Sequence, residues 1–74
     1  MPSLKPETAW RRILVDKTSP IKCRVAALKH LARPSLGLMR SLLSDPNTPG
    51  RLRFALAERY EIEVARKELA RADR

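Results

Sequence analysis

The sequence predicts an all-α fold of two similar helical hairpins followed by a C-terminal helix, on three observations. Eleven Leu and nine Ala stand against three Ile and three Val, with Trp10, Phe54 and Tyr60 as the aromatic residues, which is helix-forming and strand-poor chemistry. Apolar residues recur at helical spacing between proline-containing breaks. The chain also repeats itself: a shift of 29 residues lays Arg11 on Arg40, Leu14 on Leu43, Asp16 on Asp45, Pro20 on Pro49, Arg24 on Arg53 and Ala26 on Ala55.

The elements follow in order. Pro6 and Glu7 suit a first turn, and Trp10, Ile13 and Leu14 at i, i+3, i+4 give a helix over about Pro6 to Asp16 one apolar face. Ser19-Pro20 restarts the chain, the serine as a capping hydroxyl and the proline at N1. Ile21, Val25, Leu28 and Ala32, widened by Leu31, form the stripe of a second helix that ends at Arg33-Pro34, because the residue before a proline avoids the α region. Ser35 caps a third helix with Leu38, Met39, Leu42 and Leu43 on its buried face, which stops at Asp45-Pro46. Thr48-Pro49 repeats the start signal, and Leu52, Phe54, Leu56, Ala57 and Tyr60 continue as a fourth helix. On one straight helix residues 52, 56 and 60 drift away from Ile62, Ala65 and Leu69, so a kink or a fifth helix is expected near Tyr60 and Glu61. The expected organisation is a single domain: repeat 1 over about 6–33, repeat 2 over about 35–60, and a helix over about 61–72. That last helix reads as a cap and not as a third unit, although Asp73 lies 28 residues past Asp45.

Each unit is helix, short turn, helix, as in solenoid repeats. The strings LVDKTSPIKCRVAALKHLA and LLSDPNTPGRLRFALAERY resemble HEAT repeats in their Leu-Leu-x-Asp start, proline-containing turn and basic residue before small and apolar positions. The resemblance covers about residues 10–60 and implies two stacked α-hairpins, an α-solenoid fragment. It also implies an inter-repeat ladder in which Arg24 and Arg53 pair with Asp16 and Asp45, Asp16 to Arg53 crossing between units. The helical wheel agrees that Arg24, between Leu28 and Leu31, needs an acceptor, since a partly buried guanidinium without one is expensive.

Sixteen Lys and Arg against eight Asp and Glu give a net charge of +8. Residues 1–57 carry eleven bases and three acids, and residues 58–74 five of each. Such a balance favours anionic partners without dictating a fold. Lys22, Lys29 and Arg33, at i, i+7, i+11, lie within about 40° of each other on a continuous helix. In HEAT-like stacks the second helix of each unit lines the concave face. That makes this ridge, extended by Arg51, the candidate anion- or partner-binding surface, against the plainer reading of a solvated face.

The remaining chemistry is sparse. His30 has no second His and no carboxylate at ligand spacing, and Cys23 has no partner for a disulfide or a thiolate metal site. With Gly37 and Gly50 its two glycines, the chain offers no phosphate-binding loop, and no nucleophile–base pair or metal cluster is visible. The expectation is a binding protein without cofactor and not an enzyme. Trp10, Phe54 and Tyr60 read as core or end-cap residues. The lone cysteine suits a reducing, cytoplasmic setting, and MPSLKPETAW shows neither the apolar core nor the cleavage site of a signal peptide.

Two functions compete: a HEAT-like protein-interaction module or self-associating scaffold, and a basic nucleic-acid-binding protein making phosphate contacts. KHLARPSLGLMRSLL tempts a helix-turn-helix reading, but Ala32 stands where the turn usually wants Gly. A membrane partner is not expected, since the ridge flanks a stripe that the core needs.

Overall fold

The computed structural model describes residues 6–72; Asp73 therefore lies outside the described residues. Four helices are present: α1 (Pro6–Val15), α2 (Ile21–His30), α3 (Leu36–Ser44) and α4 (Gly50–Ala72). The chain is all-α, and among the described residues there is no strand. It divides into two compact units at Ala32 and Arg33, with α1 on α2 in the first and α3 on α4 in the second.

In the first unit the turn 16–20 reverses the chain. The Ala32 amide donates to the Glu7 carboxylate at 2.9 Å, tying the start of α1 to the end of α2 and making the pair antiparallel. Leu14, Ala27, Leu28 and Leu31 are buried, and so is Arg24. The buried face of α2 is thus Arg24, Ala27, Leu28 and Leu31 at i, i+3, i+4, i+7. The expected stripe is rotated: Ile21 and Ala32 are exposed and Val25 is half-buried. An arginine occupies a core position that an apolarity pattern skips. α2 also ends at His30, because Leu31 already has extended backbone (φ −68°, ψ 123°).

The second unit buries Met39 and Leu42 on α3 and Leu52 and Leu56 on α4. Ser35 caps α3 as expected, its Oγ accepting from the Leu38 amide at 3.3 Å. Ser19 and Thr48 do not cap the helices that follow them. Pro20 is itself the N-cap of α2, with no side-chain cap bond. Ser19 Oγ donates back to the Asp16 carboxylate at 3.1 Å, and Thr48, buried, donates to the Leu42 carbonyl.

The expected fifth helix is absent. α4 is one unbroken helix of 23 residues. The drift of its apolar positions needs no bend, because its buried residues, Leu52 and Leu56, both lie in its first two turns and nearly all of residues 61–72 are exposed. With no proline or glycine after Gly50, and with Arg59 Nε on the Glu63 carboxylate at 2.8 Å, i to i+4, the helix simply continues. Residues 61–72 therefore extend α4 and form no separate helix. Phe54, expected in the core, is 70 % exposed.

The 29-residue repeat is visible bond by bond. The Asp16 amide donates to the Ile13 carbonyl and the Asp45 amide to that of Leu42, each at 3.3 Å. Thr18 and Asn47 donate their amides to Oδ1 of Asp16 and Asp45, each at 2.9 Å. Ser19 and Thr48 donate theirs to the carbonyls of the same aspartates, each at 3.1 Å. The two turns are one turn built twice.

Candidate functional site

The turn shows what the paired Asp and Arg do. A helix leaves its last carbonyls without intrahelical donors. The amide that would continue α1 onto the Leu14 carbonyl belongs to Thr18, and the Asp16 carboxylate has taken it. Arg24 fills the vacancy, its Nε donating to the Leu14 carbonyl at 2.8 Å from a side chain that is 4 % exposed. In the second unit Asp45 takes the Asn47 amide, and Arg53 donates one terminal nitrogen to the Leu43 carbonyl and the other to that of Asp45 at 2.7 Å. The resemblance had placed these guanidiniums on the turn carboxylates. Within each hairpin their hydrogen bonds end on backbone carbonyls, two of which, those of Leu14 and Leu43, the turn leaves without a helical donor. Asp16 is exposed, and its carboxyl is held below its usual value first by the Thr18 hydroxyl and amide and by Ser19, and least by the charge of Arg24.

The expected basic ridge is only partly assembled. Lys22 and Lys29 are exposed on α2, two turns apart on one face, and Arg51 is exposed in the first turn of α4. Arg33 is not on α2. The helix has ended three residues earlier, so its wheel angle does not apply.

Arg33 instead lines a groove of about 660 Å³ within the second unit, together with Arg40 of α3 and Glu63, Arg66 and Lys67 of α4. The geometry follows from unequal lengths. α3 has nine residues and α4 twenty-three, so the antiparallel α4 overshoots the start of α3, and its inward face changes from Leu52 and Leu56 to Glu63, Arg66 and Lys67. Glu63, mostly buried, accepts from Arg59 at 2.8 Å and from Arg66 at 3.4 Å. The groove thus holds four cations and one carboxylate, and that carboxylate is already engaged. Sequence reading missed Arg40, Arg66 and Lys67, because residues 58–74 are neutral as a block. The available signal was the spacing of Glu63, Arg66, Lys67 and Ala70, at i, i+3, i+4, i+7 on one helix face.

The outward face of α4 is the second unusual surface. Phe54, Ile62 and Leu69 are 70, 48 and 68 % exposed, and at 100° per residue they fall within about 80° of each other. Glu58, Glu61 and Glu68, all exposed, lie among and beside them.

His30 stacks on Trp10, with ring centroids 4.6 Å apart and planes at 14°, so both rings serve the open edge of the first hairpin. Trp10 is half-buried and Cys23 is an exposed free thiol. Among the described residues no His, Cys, Asp or Glu cluster is placed to hold a metal ion, and no helix is long and apolar enough to cross a membrane. Comparison with known proteins finds no matching family model, no matching curated protein and no matching solved structure.

Proposed function

We propose that this chain is a helical-repeat protein-interaction module, HEAT-like in its unit and without catalytic activity, that self-associates through the outward face of α4. The observation that carries the reading is the exposed row of Phe54, Ile62 and Leu69 on a helix whose second half buries almost nothing. A helix of this kind is marginal in water without packing on one face, and these three large apolar side chains, spaced two turns apart on one side of it, supply a face for that packing. Helix-in-surface docking uses anchors at this spacing.

Charge selects the partner. Glu58, Glu61 and Glu68 make this face the acidic part of a chain that is otherwise basic: residues 6–32 carry six Lys or Arg and two acids. The surface that complements an acidic, apolar helix is therefore present on every other copy of the chain. A face that docks on a different face makes a head-to-tail contact, which closes into a ring or grows. The exposed, unpaired Cys23 suits a reducing compartment, and we place the module in the cytoplasm on that basis.

The test compares the wild type with Phe54→Ser/Leu69→Ser by light scattering over a concentration series. Both positions are exposed, so at the lowest concentration, where both proteins are monomers, helicity by circular dichroism should be the same. The wild type should gain mass with concentration and the double variant should remain a monomer. Equal behaviour of the two proteins would remove this face from the account.

A further inference from the structure

We infer that the groove in the second unit is a phosphate-binding site for a nucleic-acid strand, read through the strand's backbone. The site uses none of the residues of the outward apolar row, although Arg66 stands one turn from both Ile62 and Leu69 on α4. Arg33, Arg40, Arg66 and Lys67 converge on about 660 Å³ against the single carboxylate of Glu63, which already accepts from two arginines. Four cations against one engaged carboxylate leave the groove with a net positive charge, which favours an anion.

The backbone adds to this. The first turn of α3 lines the groove through Leu36 and Gly37, and of the turn's amides that of Leu38 is taken by Ser35. The Leu36 and Gly37 amides, at the positive end of a nine-residue helix, have no intrahelical acceptor and add donors to those of the guanidiniums. Arginine forks match phosphate oxygens in pairs.

Two features favour a strand over a small anion. The positive charge of the second unit is not confined to the groove, since Arg51 is also exposed, and the chain as a whole carries +8, as a ligand with many phosphates requires. No aromatic side chain lines the groove, so there is no platform for base stacking, and binding should be indifferent to sequence.

The experiment is fluorescence anisotropy of a labelled mixed-sequence single strand with three full-length proteins: wild type, Arg40→Glu/Lys67→Glu in the groove, and Lys22→Glu/Lys29→Glu on α2. The two variants carry the same change in charge at exposed helical positions, and circular dichroism checks that both are folded. The groove variant should bind at least about tenfold more weakly than the α2 variant and lose roughly 1.4 units of the log–log salt slope, about 0.7 for each phosphate contact on a single strand. Equal weakening of the two variants, or a larger loss in the α2 variant, would overturn the assignment to the groove. So would absence of wild-type binding at low salt. Inorganic phosphate should displace the strand only at concentrations where chloride of equal ionic strength does the same; displacement by phosphate alone would make the groove a small-anion site. Displacement by poly-glutamate of similar length as readily as by unlabelled strand would assign it to acidic protein.

Discussion

Arg24 and Arg53 occupy positions that a hydrophobic pattern would assign to leucine, and each completes a helix end that its turn aspartate has opened. The carboxylate captures the amide that would have extended the helix, and the guanidinium closes the carbonyl left behind. Arg24→Met keeps the length and apolar stem of the side chain but leaves the Leu14 carbonyl without a donor. It should destabilise the protein by about 1.5–3 kcal/mol in urea unfolding, the range for hydrogen bonds to charged groups. Arg24→Lys should recover little of this, because lysine carries a methylene where Arg24 has the donating Nε. The requirement that Arg24 find an acceptor was legible in the sequence from its place between Leu28 and Leu31; the acceptor was not, since backbone carbonyls leave no mark on sequence. Asp16 belongs to the same turn. Its folded-state pKa lies below its ordinary value of 3.8, so its stabilising contribution is complete above that value and is lost as pH falls through the lower, folded one. An NMR titration of the Asp16 carboxyl should show its midpoint below 3.8, and Thr18→Ala/Ser19→Ala should move it upward. A midpoint at or above 3.8 would mean that the carboxylate does not hold the turn.

Among the elements, the short helices were the most legible and α4 the least. Proline breaks and the Ser35 cap bounded α1, α2 and α3 to within a few residues. On α4, the assumption that every apolar residue seeks the core produced a false break in the helix and a false core position for Phe54. A helix packed along its whole length must keep its apolar stripe in phase, whereas one packed only at Leu52 and Leu56 need not. The same half-packing makes α4 unequal along its length. Amide hydrogen exchange should show residues 51–59 protected together with α3, and residues 62–72 opening at lower free energy in the dilute monomer. Uniform protection along α4 in the monomer would contradict the packing described. The groove was hidden for a related reason. Its cations come from residues 33–40 and 63–67, which only the antiparallel return of α4 brings together.

At the scale of the whole molecule, a turn used twice builds two hairpins from 29-residue units, and the uneven lengths of α3 and α4 create both surfaces of interest. The overshoot of α4 turns its inner face into a basic groove and leaves its outer face apolar and acidic. The repeat was fully visible in sequence because turn chemistry demands particular residues at particular places: aspartate to take an amide, proline to restart the helix, arginine to close a carbonyl. Surface function makes no such demand, and composition alone pointed only to anionic partners. The most direct test of self-association is sedimentation equilibrium of the wild type at low and at high salt. The weight-average mass should rise with concentration above the 8.4 kDa of one chain, with weaker association at high salt because acidic and basic faces meet across the contact. A mass that stays at 8.4 kDa at every concentration and both salts would contradict self-association.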